Sequence, residues 1–290
     1  MHPLKTLFPL LLAISWIAGF RIEGSGEDGR RRDAVYCMPL ETTEAFRQEA
    51  MDESFAMLHP APKRVKSAER LGRTIRFTGS DGVEATGYFI ASKKPSKRWL
   101  IVIQEWWGLN ENIKEEADRY YTDLGDMNVI AVDMYDGRVA ETPDSAMKIM
   151  RSVDQNRLKA IIEGAIAHAG NKASIYSLGW CFGGMWSLQS AIIAGAKAKG
   201  ALMFYGRPEA DVEKLKSIQC DVIGFFGNLD SSPSPAMVNS FEENMRTAGR
   251  NLTVHRYEAG HGFANPSNPK FDREATQDSY AKALAFLKSH

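Results

Sequence analysis

Gly179-Trp180-Cys181-Phe182-Gly183-Gly184 is the stretch that decides how this sequence folds. It joins a buried-strand run at 173–178 to a helical stretch at 184–194, so a cysteine sits at a strand-to-helix turn with glycine two places before and two places after it. A nucleophile in such a turn takes up a strained backbone conformation, and small flanking residues let strand and helix approach without clashing. The turn is expected to point the Cys181 sulfur outward at the N-terminus of the next helix. There the helix dipole favours the thiolate, which is the attacking form. On these six residues alone a bland alternative stays open, a small buried cysteine in an ordinary glycine-rich turn.

The same alternation continues on either side. Strand-like runs at 99–104, 129–133, 200–205, 222–227 and 253–257 alternate with helical stretches at 112–124, 144–168, 235–248 and 272–288. This pattern predicts an α/β fold with a mostly parallel central sheet and helices on both faces. Ahead of it, the runs 74–78 and 83–91 flank Gly79-Ser80-Asp81-Gly82 and predict an N-terminal antiparallel hairpin. Phe46, Ala50, Phe55 and Leu58 at helical spacing predict an amphipathic helix over 43–58, stopped by His59-Pro60. A single domain is expected over 43–290, with no internal repeat.

The whole chain has 290 residues, 44% of them hydrophobic and 25% charged, which describes a globular protein. Lys plus Arg and Asp plus Glu are 36 each, so no excess charge is available to attract nucleic acid, and none is expected as a partner. Cys37, Cys181 and Cys220 form no C-x-x-C pair and are too few for a disulfide framework. Residues 7–20 carry no charge and read as the apolar core of a signal peptide over 1–20. They fall short of the ~20 apolar residues that span a bilayer, so no membrane span is expected after cleavage. Residues 21–42, with Arg30-Arg31-Arg32, read as a solvated linker. Export to the periplasm or the exterior follows if the segment is a signal, and a cytoplasmic location otherwise.

Open α/β sheets build their sites beyond the carboxyl ends of their strands. Five chemically capable side chains each follow a strand run, namely Glu105, Arg138, Cys181, Asp230 and His261. Nucleophile, acid and histidine then fall in the order that marks hydrolases of this architecture. His261 is flanked by glycines in Ala259-Gly260-His261-Gly262-Phe263. The rival histidines fit less well: His2 is in the signal segment, His59 precedes a proline, His168 ends a helix, His255 lies within a strand and His290 is terminal. Asp221 begins its strand and so lies at the wrong end of the sheet.

These residues resemble the dienelactone hydrolase family of the α/β-hydrolase fold. The likeness runs from about residue 70 to the C-terminus. It rests on Gln104-Glu105-Trp106-Trp107-Gly108-Leu109-Asn110, Asp133-Met134-Tyr135, the Cys181 turn, Gly227-Asn228-Leu229-Asp230 and Ala259-Gly260-His261-Gly262-Phe263-Ala264. The resemblance implies a Cys181-His261-Asp230 triad, with backbone N–H groups of Trp106 and Phe182 as the oxyanion hole. It further implies that Glu105 holds the resting thiol and that Arg138 pairs with a substrate carboxylate. One position departs from the family, because Asn265 stands where a second carboxylate-binding arginine is expected. An amide cannot make a charge-assisted bidentate pair.

The expected activity is hydrolysis of small carboxylic esters or lactones through an acyl-cysteine, with a small-molecule substrate and neither metal nor organic cofactor. A protein that binds a small ligand on this fold without turning it over is the alternative. A redox thiol enzyme is a third reading and would need a resolving cysteine close to Cys181.

Overall fold

Leu100, Ile101, Val102 and Ile103 are four consecutive side chains with no exposed surface. A strand buried on both faces requires a sheet between two helical layers. The computed structural model, which describes residues 41–52, 55–56, 59–62 and 69–290, has that arrangement. Helix α1 (Glu41–Glu49) comes first, then the hairpin strands β1 (Arg73–Thr78) and β2 (Glu84–Ile90). There follow β3 (Arg98–Ile103), α2 (Glu111–Leu124), β4 (Asn128–Val132), α3 (Pro143–Ser152), α4 (Gln155–Ala169) and β5 (Ser174–Trp180). The chain continues through α5 (Phe182–Ala194), β6 (Ala198–Phe204), the short α6 (Val212–Leu215), β7 (Asp221–Gly227), α7 (Pro235–Thr247), β8 (Leu252–Tyr257) and α8 (Arg273–Ser289).

The eight strands lie in the order β1-β2-β4-β3-β5-β6-β7-β8. The pairs β1/β2 and β2/β4 are antiparallel, and every other neighbour is parallel, as the runs of apolar residues predict. The chain leaves β3 towards β4 on one side and leaves β5 towards β6 on the other, so a crevice opens beyond the carboxyl ends of β3 and β5. That is where an open α/β sheet holds its ligand.

Two helical expectations need correction. The stretch 144–168 is two helices, because Val153 turns extended and the Asp154 side chain caps a new helix by accepting from the Asn156 N–H. The helix expected over 43–58 gives way to a turn at Ala50 to Asp52, and Phe55 and Ala56 are again helical. The signal segment expected over 1–20 lies outside the described residues. So does the expected linker at 21–42, except for its last two residues, which begin α1. Among the described residues, no helix is long and apolar enough to cross a membrane.

Candidate active site

Cys181 ends β5 and precedes α5 with φ 54° and ψ −117°, a strained conformation for a non-glycine residue. The glycines around it have a steric reason to be there. A Cβ on Gly179 would overlap the Gly183 carbonyl, and one on Gly183 would overlap the Ile103 carbonyl of β3. Strand, turn and helix are thus in backbone contact, and the sulfur is fixed over the crevice between β3 and β5. The Phe182 N–H at the start of α5 helps to stabilise the thiolate, although burial as the larger effect raises the thiol pKa.

His261 follows β8 and Asp230 follows β7, and the two side chains join: His261 Nδ1–H donates to Asp230 Oδ2 at 2.8 Å. Both residues are buried. Burial disfavours the imidazolium, but the Asp230 carboxylate and Cys181 outweigh it and raise the His261 pKa well above 6.5. The other ring nitrogen, Nε2, is buried without a hydrogen-bond partner, and the His261 ring brings a nitrogen within 4.8 Å of Cys181 Sγ. Three residues from three separate strand ends are therefore assembled in the order sulfur, imidazole, carboxylate.

A fourth residue stands against the sulfur, and sequence reasoning set it aside. His59 Nδ1 donates to the Phe55 carbonyl at 2.7 Å, so its Nε2 carries the lone pair and accepts the Cys181 thiol at 3.5 Å. Phe55 stacks on the His59 ring at a centroid distance of 4.0 Å, and Trp106 packs against the same ring at 4.9 Å. Burial, followed by the nearby His261 charge, lowers the His59 pKa well below 6.5. Cys181 is left with 1% of its surface exposed, so the expectation of an outward-facing sulfur is corrected: His59 lies against the sulfur, and Phe55 stacks on His59. His59 is separated from Cys181 by 122 residues, and nothing in local spacing or in a His-Pro pair signals such a contact.

Glu105, two residues past β3, is buried beside this group. Its carboxylate accepts from Asn265 Nδ2 at 2.7 Å and from the Tyr205 hydroxyl at 3.5 Å. Burial pushes its pKa up to about 7, against the opposing pull of His261 and these hydrogen bonds. A cavity of about 520 Å³ opens next to it, walled by Glu105, Trp180, Tyr205 and Asn265 and, from α2, by Glu115, Glu116 and Arg119. Arg119 Nη1 is 3.6 Å from Glu116 Oε1, and burial raises Glu116 to about 6. Arg138 lies elsewhere: it is exposed, with Nε donating to the Tyr135 carbonyl at 2.9 Å and Nη1 to the Ser152 hydroxyl at 2.6 Å. Trp106 is wholly buried at the crevice, edge-on to Phe55 at 5.1 Å.

Residues 85–290 match the dienelactone hydrolase family. The chain is 27% identical over 233 residues to the protein usf of Aquifex pyrophilus, covering 76% of this chain and 99% of that one. It is 26% identical over 230 residues to carboxymethylenebutenolidase 1 of Cupriavidus pinatubonensis, covering 72% and 96%. Among solved structures, a dienelactone hydrolase-like promiscuous phosphotriesterase from metagenomic libraries superimposes with a TM-score of 0.65 at 21% identity, over 76% of this chain and 98% of the other. An esterase of Pyrococcus furiosus follows with a TM-score of 0.57 at 15% identity, over 79% and 98%. At these identities the two superpositions speak for the fold.

Proposed function

The chain belongs to the dienelactone hydrolase family, a family of hydrolases, and from that premise we propose that it cleaves small uncharged esters or lactones through an acyl-cysteine on Cys181. The observation that carries this reading is the 2.8 Å bond between His261 Nδ1 and Asp230, which leaves Nε2 unpartnered on a ring that comes within 4.8 Å of Cys181 Sγ. The Asp230 carboxylate fixes the proton on Nδ1 and stabilises the imidazolium that forms at the other end of the ring.

In the proposed mechanism, a substrate that enters the crevice displaces His59 from the thiol. In its neutral form, His261 takes the thiol proton on Nε2 as sulfur attacks the carbonyl carbon. The developing oxyanion lies by the Phe182 and Trp106 backbone N–H groups. Collapse of this tetrahedral species breaks the C–O bond, and the imidazolium returns its proton to the departing alkoxide. Water, deprotonated by the same Nε2, then attacks the thioester, and the thiol is restored with release of the acid.

The cavity wall favours an uncharged acyl or alcohol group. Glu105, Glu115 and Glu116 face it together with the single guanidinium of Arg119, which is already close to Glu116. The experiment that tests the reading is a panel of p-nitrophenyl esters and lactones assayed with the wild type and Cys181→Ala. Saponification that depends on Cys181 is expected. Turnover that survives the substitution would end the acyl-cysteine assignment, and binding without turnover would favour the ligand-binding alternative.

A further inference from the structure

Cys181 Sγ and one ring nitrogen each of His59 and His261 all lie within 4.8 Å of one another, and all three residues are buried. We propose that they form a binding site for a thiophilic divalent cation of the Zn²⁺ type, which seizes nucleophile and base together and switches the hydrolase off. The binding follows from the geometry of the three side chains, while the inhibition rests on the role proposed above for Cys181 and His261.

Each imidazole is prepared as a ligand from its far side. His59 Nδ1–H is held by the Phe55 carbonyl at 2.7 Å, and His261 Nδ1–H by the Asp230 carboxylate at 2.8 Å. A carbonyl or carboxylate behind the ring is the outer support that metal-binding histidines use, because it fixes the tautomer and directs the Nε2 lone pair. His261 Nε2 is buried and has no hydrogen-bond partner among the described residues. A metal ion would satisfy it.

The distances suit a tetrahedral ion. Zinc bonds of about 2.3 Å to sulfur and about 2.0–2.1 Å to nitrogen imply an S···N edge of about 3.6 Å. The observed edge between Cys181 Sγ and His59 Nε2 is 3.5 Å. The edges to the His261 ring nitrogen are at most 4.8 Å, and ring and thiol rotations of about 1 Å would close them onto a common centre. A fourth position remains for water.

The donor set selects the ion. Two imidazoles and a thiolate suit Zn²⁺ or Co²⁺ and not the oxygen-seeking Mg²⁺ or Ca²⁺. The ion takes the place of the thiol proton and of the proton on the His261 imidazolium, so both protons are released to solvent as the S–H and Nε2–H bonds give way to metal–sulfur and metal–nitrogen bonds. With the sulfur coordinated and the Nε2 lone pair occupied, neither attack nor proton transfer can begin.

The test uses the untagged, reduced, chelator-stripped full chain and Co²⁺ as a spectroscopic probe. One equivalent should give a near-ultraviolet thiolate-to-cobalt band and strong four-coordinate visible bands, with neither seen in Cys181→Ala. His59→Ala should bind at least about tenfold to hundredfold more weakly, since even loss of an outer support costs that much. Should His59→Ala misfold, the wild type alone still decides: Zn²⁺ should protect Cys181, but not Cys37 or Cys220, from iodoacetamide, while Mg²⁺ gives no protection. A cobalt spectrum that persists without Cys181, equal affinity in a folded His59→Ala, or alkylation of Cys181 unaffected by Zn²⁺ would overturn the site. Metal binding without any ester turnover would instead count against the proposed hydrolysis and leave the site standing.

Discussion

Asn265 donates from Nδ2 to Glu105 Oε2 at 2.7 Å, and this uncharged contact sets the electrostatics of the crevice. An arginine at 265 would hold the buried carboxylate ionised by a charge-assisted pair. The amide supplies only a hydrogen bond, so desolvation prevails and Glu105 titrates near about 7. The departure from the family pattern is thus coupled to a second residue, and both lie on the wall of the same cavity.

Stability should therefore depend on pH through Glu105. Its folded pKa of about 7 lies above the ordinary 4.5, so the folded state holds its proton more tightly than the unfolded chain. That contribution is full below about 4.5 and is lost as pH rises through about 7. Glu105→Gln mimics the protonated form at every pH. Its unfolding free energy relative to the wild type should be flat at low pH, climb between these two values and level off above, with a span of roughly 3 kcal/mol. Thermal melts of both proteins across this range check it, and a constant difference would show that Glu105 is not buried with a raised pKa.

The triad should act as a unit. Cys181→Ala and His261→Ala should each lower kcat by on the order of 10³-fold or more, and the double variant should be no slower than the worse single one. Asp230→Asn should cost less than either, because it disturbs the tautomer and orientation of the ring and leaves the bond-making groups in place. Steady-state rates of the four proteins settle the matter. Losses that multiply would mean that Cys181 and His261 do not serve one mechanism.

Much of this arrangement was legible in the sequence because it depends on local chemistry. Apolar runs of strand length announce the buried parallel sheet, and the glycines at 179 and 183 announce a turn whose backbones touch. The positions of Cys181, Asp230 and His261 after β5, β7 and β8 then bring them to one edge. What was not legible depends on contacts that the sequence does not encode locally. The break at Val153 and Asp154 depends on one capping side chain within an otherwise helical pattern. His59 reaches the sulfur from a segment ahead of the sheet, and the proline after it suggested only a helix end. Nor could spacing tell that Glu115, Glu116 and Arg119 of α2 would face the cavity while Arg138 turns to its own neighbours.

Covering of the nucleophile by Phe55 can be measured directly. The Phe55 ring stacks on His59 at 4.0 Å and meets Phe46 at 5.6 Å and Trp106 at 5.1 Å, so its removal should free His59 and admit solvent to the thiol. Burial is the chief cause of the raised Cys181 pKa, and water entry should lower it towards the ordinary value. Phe55→Ala is accordingly expected to alkylate at Cys181 at least several-fold faster than the wild type at neutral pH, as followed by mass spectrometry of the labelled peptide. An unchanged rate would mean that the thiol is reached by another route.

Substrate charge offers the sharpest test of the cavity. A carboxylate entering it would meet Glu115 and Glu116, and Glu105 where it is ionised, with Arg119 as the single guanidinium among the described wall residues. Arg119 also lies over the Tyr280 ring at 3.4 Å and near Glu116, so its charge is already engaged. One uncompensated like-charge contact at roughly 7 Å, at an effective dielectric constant near 20, costs about 2 kcal/mol, or about thirtyfold in kcat/KM. Neutral lactones should therefore be preferred to acidic analogues of the same size by about that factor. Glu116→Gln and Asn265→Arg should both narrow the preference, the first by removing a repulsion and the second by adding a partner. Arg138→Ala should leave it unchanged, because that guanidinium is exposed and bonded to the Tyr135 carbonyl and the Ser152 hydroxyl. The measurement is the ratio of kcat/KM for a matched neutral and acidic pair in the wild type and the three variants. A wild type that prefers the acidic member, with the preference lost in Arg138→Ala, would place the anion site at Arg138 and remove the argument from the cavity wall.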